Sequence, residues 1–433
     1  MSRVVAALSA SLLVACGTPS EAPEPTPEPT PAPYVEPAPP DCGAPVVPGS
    51  VEGLTRWPYL GDVTRTSVRM AFGGGDSAQT ATVRFGPSAS MDSSLTPSRS
   101  VIPGSGSDIA LFETRIEGLQ PGTEYCYAVD IDGTTVASGL TFRTAPDHPD
   151  APVRFLAIGD FGGGTPEQLA LAGRMAGRLD RTDLFLTTGD NAYGDGDWDE
   201  IHDFVFAPYQ DILTRLPFYP THGNHDYKTD RAAPSLANYL LPENALKEEQ
   251  HERFWSFDYG PVHFVGLDCV EGILDITDTS MIEWLVQDLR SHDRPWTVAL
   301  WHYPILTGHP ERDGDGLMIS RVLPILQDRV DLVLVGHDHF YERFQRLRFD
   351  GNTAVADPED GFHYVITGAG GKSLYDVEPH PLDVTRVQQH HFTWVEVDSC
   401  RLHLEAEDLD GNEIDDFVID KCAEGAARSG EGR

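Results

Sequence analysis

Five short polar motifs follow apolar runs of this sequence, and each contains side chains that bind metal ions. They are Gly159-Asp160-Phe161-Gly162, Gly189-Asp190-Asn191-Ala192-Tyr193, Gly223-Asn224-His225-Asp226, Trp301-His302 and Gly336-His337-Asp338-His339. A single Gly-Asp pair after a strand usually marks a turn. Five such motifs, each placed directly after an apolar run, instead indicate one composite site. Mixed carboxylate and imidazole ligands suit iron, zinc or manganese, so the motifs predict a metal site.

The elements that position these motifs alternate between strands and helices. Strands are predicted over 153–158, 184–188, 218–221, 298–301 and 332–335, and helices over 280–291, over 317–327 and from Thr165-Pro166 onward. Such alternation implies α/β layers, and polar residues at strand ends imply a site at that edge. After residue 361 the sequence is strand-rich again, so both faces of this domain are expected to include sheet.

Residues 49–146 have the spacing of a separate, all-β domain. Short alternating runs at 67–72, 80–85, 111–116, 124–131 and 140–143 are separated by turn residues. About 100 residues of this kind predict a β-sandwich. The stretch from Gly118 to Tyr125 resembles the corner before a late strand of fibronectin type III domains, and Thr141–Thr144 resembles their last strand. We therefore predict an all-β, fibronectin type III-like sandwich here.

Taken in order, the five motifs resemble those of purple acid phosphatases, which belong to the calcineurin-like metallophosphoesterases. The string from Gly336 to Arg343 is similar to the GHxHxYER motif of that family, whose plant members carry a fibronectin-like N-terminal domain. The resemblance spans roughly residues 55–405. It implies a catalytic domain over 151–422 with an α/β (α+β) fold, a four-layer metallophosphoesterase β-sandwich flanked by helices.

The resemblance also implies a complete set of ligands for two metal ions. Asp160, Tyr193 and His339 would hold the first metal ion, Asp190 would bridge both, and Asn224, His302 and His337 would hold the second. Because the phenolate of Tyr193 favours ferric iron, the expected pair is Fe(III) with Fe(II), Zn(II) or Mn(II).

The resemblance implies the hydrolysis of phosphate monoesters, which is an acid phosphatase activity. Two cations lower the pKa of bound water and generate the hydroxide that attacks phosphorus. The leaving alkoxide needs a proton, which the sequence offers from His225, beside Asn224, or from His309, seven residues after His302. Two alternatives use the same site: a phosphodiesterase or nucleotide hydrolase, and a non-catalytic surface binding protein.

The charge of the chain limits its partners. Asp and Glu number 68 against 31 Lys and Arg, so the formal net charge is −37 at pH 7. Such a surface repels nucleic acid and anionic lipid, so we expect no nucleic-acid partner. It is also an awkward background for the small phosphate ester that we expect as substrate, so the site needs local positive charge, for which bound metal is the candidate. Lys372, after the glycine-rich run Gly368–Gly371, is interpreted as a surface charge. The oligomeric state is left open.

The beginning of the chain resembles an export signal. Arg3 precedes an apolar run at 4–15 that is too short to span a bilayer. Leu13-Val14-Ala15-Cys16 resembles a bacterial lipobox, in which the cysteine is acylated, and the alternative is a secretory signal with an incidental cysteine. Residues 17–48 contain twelve prolines and predict a disordered spacer. Residues 423–433 are predicted to be a disordered tail.

Export also permits disulfides. Cys400 and Cys422 flank two strand-like runs and are predicted to pair. Cys42 and Cys126 could pair as well, which leaves Cys269 as a buried thiol. We expect a protein tethered to the bacterial outer membrane or cell surface, whose contact with the membrane is only through its lipid anchor.

Overall fold

The computed structural model of this protein describes residues 34–44, 53–148, 150–273 and 277–423. The predicted export signal with Cys16, most of the predicted spacer and the tail from residue 424 lie outside the described residues. Within the described ranges, no helix has both the length and the apolar character needed to cross a membrane.

The structure is built mainly from strands. In chain order they are β1 (Leu54–Gly61), β2 (Ser67–Gly75), β3 (Ala81–Gly86), β4 (Ser93–Leu95), β5 (Ser98–Ile102), β6 (Ile109–Glu117), β7 (Glu124–Ile131), β8 (Thr134–Arg143), β9 (Val153–Ile158), β10 (Leu184–Thr187), β11 (Phe218–Pro220), β12 (Trp255–Tyr259), β13 (Val262–Gly266), β14 (Trp296–Trp301), β15 (Leu332–Val335), β16 (Tyr341–Phe344), β17 (Leu347–Asp350), β18 (Thr353–Ala356), β19 (His363–Thr367), β20 (Asp383–Val387), β21 (His391–Val397), β22 (Arg401–Asp408) and β23 (Glu413–Asp420).

In the part of the chain that the structure describes, the helices follow β9. They are α1 (Pro166–Ala176), α2 (Trp198–Glu200), α3 (Gln210–Leu213), α4 (Ala233–Asn238), α5 (Ser280–Ser291) and α6 (Leu323–Leu326), with 3₁₀ turns at Leu179–Arg181 and Glu248–Gln250 and π-helical segments at Ile201–Phe206 and Met318–Val322. Helix α1 begins as its sequence predicts: the Thr165 hydroxyl accepts the Gln168 N–H, and proline occupies the first turn.

The first eight strands form two antiparallel, four-stranded sheets, in the orders β1-β2-β6-β5 and β4-β3-β7-β8. Tyr125, at the start of β7, accepts a hydrogen bond from the Gln120 N–H at 2.8 Å. A tyrosine corner of this kind occurs in immunoglobulin-like sandwiches. The segment is therefore all-β, whereas its assignment to the fibronectin type III class remains a prediction.

The later strands form two mixed sheets, in the orders β11-β10-β9-β21-β22-β23 and β12-β13-β14-β15-β19-β16-β20. β9, β10 and β11 are parallel to one another, and so are β13, β14, β15 and β19. Because parallel strands end at the same edge of a sheet, the loops after β9, β10 and β11 lie together, as do those after β14 and β15.

The two mixed sheets share one core. Phe155 of β9 meets Phe264 of β13 edge to face, with ring centres 5.3 Å apart. On β14 successive side chains alternate between two buried clusters: Val298 and Leu300 face the other sheet, whereas Ala299 and Trp301 belong to a second cluster with helices α5 and α6. Strand β14 is thus buried on both faces, which explains its near-continuous apolar sequence.

The β-sandwich and the mixed sheets are joined by buried polar contacts. The Tyr127 hydroxyl donates to the Thr214 carbonyl at 2.6 Å, and the Val63 N–H donates to the Tyr219 hydroxyl at 2.8 Å. The Arg69 guanidinium reaches the Glu252 carboxylate at 2.8 Å. Disulfides join Cys42 to Cys126 and Cys400 to Cys422, which are the two pairings that the sequence suggested. The Cys269 thiol is free and buried.

Part of the predicted spacer lies against the body. In residues 34–44, the Tyr34 hydroxyl accepts from Arg143 at 2.5 Å and the Glu36 carboxylate accepts from the same guanidinium at 3.0 Å. With the Cys42–Cys126 disulfide, these contacts hold the end of the proline-rich stretch. Composition alone could not reveal them, because the partners lie about 100 residues further along the chain.

Candidate metal centre

The five motifs meet at the carboxyl-terminal edge of the mixed sheets. β9 ends two residues before Asp160, and β11 ends four residues before Asn224. β14 runs directly into His302, and β15 ends two residues before His337. The strands therefore deliver the ligands, and the short distance between strand end and ligand leaves each loop little freedom.

Backbone conformation marks three of these residues. Asp160, Asp190 and His337 all have positive φ, at 56°, 51° and 69°. Residues other than glycine rarely adopt this left-handed conformation, and where they do the surrounding structure usually holds a functional side chain in place. The neighbouring Gly336 is needed for a different reason: a Cβ there would lie 2.5 Å from an Asp160 carboxylate oxygen.

On one side of the site, Asp160, Tyr193 and His339 converge. The Tyr193 hydroxyl donates to Asp160 Oδ1 at 2.8 Å and lies 3.3 Å from His339 Nε2. His339 Nδ1 donates to the Ser373 carbonyl at 2.7 Å, so its Nε2 lone pair points into the site. All three side chains are buried.

On the other side, Asp190, Asn224 and His302 converge. His302 Nε2 lies 3.3 Å from Asn224 Oδ1 and 3.5 Å from Asp190 Oδ1. His302 Nδ1 donates to the Thr188 carbonyl at 2.9 Å, so the Nε2 lone pair of His302 also points into the site. The His337 ring stands edge-on to His302, with centres 5.0 Å apart. The donor atoms of Asp160, Asp190 and His302 all lie within 4.8 Å of one another, which places Asp190 between the two sides.

Electrostatics in this cluster favour added positive charge. Burial by itself would lower the pKa of His302, but the Asp190 and Asp160 carboxylates outweigh it and raise that pKa to about 9. Burial and the same two carboxylates hold the pKa of Tyr193 well above its ordinary value. Burial also favours neutral Asp190, yet His302 and His225 hold the pKa of this carboxyl below its usual range.

The donor set fits metal ions. Carboxylate, amide and imidazole atoms face one another at 3.3 to 3.5 Å, which is longer than a hydrogen bond between strong partners. Converging acceptors at this spacing can be satisfied together by a cation, and the ligand types suit iron, zinc or manganese. The seven residues proposed from the sequence are thus brought together, with Asp160 and Asp190 as a buried carboxylate pair.

The two candidate proton donors are placed differently. The His225 backbone N–H donates to Asp190 Oδ1 at 2.7 Å, its Nε2 lies 4.0 Å from Asp190 Oδ2, and its ring centre lies 4.4 Å from that of Tyr193. His309 contacts the ring of Tyr375, and Tyr375 in turn stacks on His339 at 3.9 Å. One aromatic ring therefore separates His309 from the ligands, whereas His225 borders them directly.

Two further residues of the site, Asp226 and Arg312, were not assigned a role from the sequence. The buried Asp226 carboxylate accepts the Gly223 N–H at 2.8 Å and the Asn191 side-chain amide at 3.0 Å, and so ties two ligand loops together. Burial and nearby Asp190 raise the pKa of Asp226 to about 7. Arg312 donates to the His337 carbonyl at 3.1 Å. Asp226 belongs to the third motif, and its position there could have indicated a role. Arg312 lies outside all five motifs, so no sequence pattern near it indicates that it borders the site.

Lys372, interpreted from the sequence as a surface charge, is half-buried and lies beside the candidate site. Its ammonium lies 4.6 Å from the centre of the Tyr193 ring, and its backbone N–H donates to the Asp160 carbonyl at 3.1 Å. Lys372 is therefore part of the wall of the site. The histidine pair His390-His391 contacts residues outside the candidate ligand set. His391 is buried and lies against Thr367, and His390 contacts the Ala369 carbonyl.

Residues 153–341 match the model of the calcineurin-like phosphoesterase family, and this range contains all seven candidate ligands. This part of the chain is a calcineurin-like metallophosphoesterase domain. The expectation of a metallophosphoesterase is confirmed for the domain.

Sequence relatives of the chain include purple acid phosphatase 22 of Arabidopsis thaliana, which is 28% identical over 300 residues. That similarity covers 64% of this chain and 63% of the plant protein, which is less than two thirds of its length. Acid phosphatase type 7 of Homo sapiens is 23% identical over 336 residues, covering 70% of this chain and 75% of the human protein.

The fold is shared with a solved purple acid phosphatase from yellow lupin (Lupinus luteus) seeds. The TM-score is 0.71 at 19% sequence identity, with 89% of this chain and 76% of the lupin chain covered. This likeness confirms the mixed-sheet metallophosphoesterase fold that the sequence predicted.

Proposed function

We propose that this protein hydrolyses phosphate monoesters at a dinuclear metal centre. The observation that carries the proposal is the convergence of Asp160, Asp190 and His302 within 4.8 Å, with Tyr193, Asn224, His337 and His339 around them. The names of the acid phosphatases to which the chain is similar support a monoester as substrate.

When bound, two metal ions in such a site lower the pKa of water and offset charge on phosphoryl oxygens. The protein holds the ligands rigidly for that purpose. The Thr188 and Ser373 carbonyls fix the ring orientations of His302 and His339, and Asp226 fixes the loop that presents Asn224. Such pre-organisation spares the protein a rearrangement during the reaction.

His225 is the better placed proton donor for the leaving alkoxide. Its half-buried ring borders both the Asp190 carboxylate and the Tyr193 ring. A general acid must reach the departing oxygen directly or through one water, and His225 satisfies this more simply than His309.

The test is metal content together with a panel of esters. The purified protein is expected to hold about two metal ions per chain and to hydrolyse 4-nitrophenyl phosphate faster than bis(4-nitrophenyl) phosphate across pH. Preference for the diester would instead support the phosphodiesterase alternative. If the purified protein holds no metal, or hydrolyses none of the esters, the proposal is wrong and a non-catalytic binding protein is favoured.

We further propose Fe(III) beside Tyr193, with Fe(II), Zn(II) or Mn(II) at the second position. A phenolate bound to ferric iron absorbs visible light. Purified protein should therefore be coloured, and Tyr193→Phe should lose the band while metal analysis still finds iron. A colourless, active enzyme would contradict this assignment.

Export and lipid anchoring through Cys16 are part of the same proposal. The two disulfides in the body are consistent with an oxidising compartment. Expressed in a Gram-negative host, the protein should sediment with membranes and incorporate labelled palmitate. Cys16→Ser should abolish labelling and release the protein, and unchanged sedimentation of that variant would contradict an anchor at this residue.

A further inference from the structure

Lysine is rare in this chain, and half of its lysines border the metal centre. The sequence contains four: Lys228, Lys247, Lys372 and Lys421. Lys247 and Lys421 lie in ion pairs elsewhere, each 2.7 Å from its carboxylate partner, Asp278 or Asp331. The chain has a net charge of −37, so the presence of two of its few ammonium groups beside one small site calls for a functional explanation.

Lys228 lies on the outer side of His225. Its ammonium is 2.7 Å from His225 Nδ1 and 2.9 Å from the Gly194 carbonyl. The side chain is 41% exposed, and its nearest carboxylate, Asp195, is 3.6 Å away and 71% exposed. Water screens such an exposed pair strongly, so Lys228 keeps much of its attraction for a further anion.

Lys372 approaches the same residues from a different loop. Its ammonium lies 4.6 Å from the centre of the Tyr193 ring, and the His225 ring lies 4.4 Å from that centre. Among the ion pairs of the described residues, none includes Lys372. Tyr193 is thus in contact with both His225 and Lys372, and Lys228 lies one side chain further out.

The position of these ammonium groups bears on the substrate. The proposed function places the reacting phosphoryl group at the cluster around Asp160, Asp190 and His302, and it places the leaving group beside His225, which borders Asp190. On that placement Lys228, which lies beyond His225, would meet what the leaving group carries, and Lys372 contacts the same Tyr193 ring that His225 contacts.

We propose that Lys228 and Lys372 bind a second anionic group on the substrate, so that the preferred substrates are phosphate monoesters whose leaving group carries a carboxylate or a further phosphate. This inference rests on the proposed phosphatase function and adds a specificity to it. A hydrogen bond to a charged group contributes about 1.5–3 kcal/mol, which is at least about tenfold in affinity.

Two matched pairs of compounds test the proposal. Phenyl phosphate and 3-carboxyphenyl phosphate differ only in the second anion, and kcat/KM is measured for both. Methylphosphonate and methylenediphosphonate, used as inhibitors, test a phosphate as the second anion. Variants are Lys228→Gln, Lys372→Gln and the double variant, with Lys247→Gln as the matched control, and metal content and Tm are measured for each.

The intact protein should favour the doubly anionic member of at least one pair by about tenfold or more. Each lysine variant should reduce that ratio by about tenfold and leave metal content unchanged, whereas Lys247→Gln should leave the ratio as it was. The pair that shows the effect identifies the second anion as carboxylate or phosphate.

Three results would overturn the inference: no preference in either pair, a preference that survives in the double variant, or an equal loss on both members of a pair. The last result would mean that the lysines act on the shared phosphate or through His225 and Tyr193. If the intact protein hydrolyses no ester at all, the proposed function itself fails, and that outcome is distinct from hydrolysis without preference.

Discussion

Two buried histidines in this protein each lie close to two aspartates, yet their surroundings differ. His263, on β13, is 2.8 Å from Asp258 through Nδ1 and 2.8 Å from Asp288 through Nε2. In His302, after β14, Nδ1 donates to a backbone carbonyl. Its Nε2 lies 3.3 Å from Asn224 Oδ1 and 3.5 Å from Asp190 Oδ1. Both imidazoles have a raised pKa, about 8 for His263 and about 9 for His302.

The difference separates a structural ion pair from a candidate metal site. At His263 every ring nitrogen has a partner at hydrogen-bond distance, so the group is complete as it stands. At His302 several acceptor atoms converge at distances longer than a hydrogen bond between strong partners. Burial would lower the pKa of His302, but the nearby carboxylates outweigh it and raise that pKa. A raised histidine pKa is therefore common to both places, and the geometry of the acceptors distinguishes them.

The largest effect is expected from Asp190→Ala. Because Asp190 lies between the two sides of the site, its loss should remove bound metal and lower kcat/KM for 4-nitrophenyl phosphate on the order of a thousandfold. Metal analysis and steady-state kinetics measure both quantities. Turnover within tenfold of the intact protein would break the assignment of the His302 region as the metal site.

His225→Gln should have the next largest effect, because it removes the group proposed to protonate the leaving oxygen. We expect kcat for phenyl phosphate to fall about a hundredfold, and kcat for 4-nitrophenyl phosphate, whose leaving group needs no proton, to fall much less. His309→Gln is the comparison, with an expected change below about threefold. A larger effect from His309 would reverse the choice of proton donor.

Asp288→Ala tests the other member of the comparison. The change leaves His263 buried with one carboxylate and also removes the acceptor of the Ser256 hydroxyl. Loss of one partner of a largely buried pair should lower the free energy of unfolding by about 2–3 kcal/mol. Denaturant unfolding measures this, and metal content should be unchanged. Loss of metal in this variant would show that the two regions are not independent.

The smallest effect is the pH dependence that His263 confers. Burial favours the neutral ring, but Asp258 and Asp288 outweigh it and raise the pKa to about 8, above the ordinary 6.5. The stabilisation is therefore fully present below pH 6.5 and is lost as pH rises through about 8. It amounts to at most about 2 kcal/mol. Unfolding between pH 6 and 9 should show this fall, and His263→Gln should flatten it.

The comparison also shows what sequence patterns can and cannot predict. His302 was identified because it directly follows an apolar strand and belongs to an ordered set of motifs. His263 has no motif, because its aspartates lie five residues before it and 25 residues after it, and only β12, β13 and α5 together bring the three side chains into contact. Helix α5 itself was predicted with its observed bounds, since its apolar spacing is a local property.

By itself, the sequence predicted the alternation of strands and helices and the all-β character of residues 49–146, because strand ends and turn residues are encoded locally. The seven candidate ligands followed from the resemblance of the ordered motifs to those of a known family. The tertiary structure decided which groups surround those ligands. Lys372 lies beside Tyr193 only because the loop after β19 folds back across the end of β9, where its backbone bonds to Asp160. His225 borders Asp190, whereas His309 is held behind Tyr375. Such contacts between distant segments depend on how the sheets pack, and no single stretch of the chain records them.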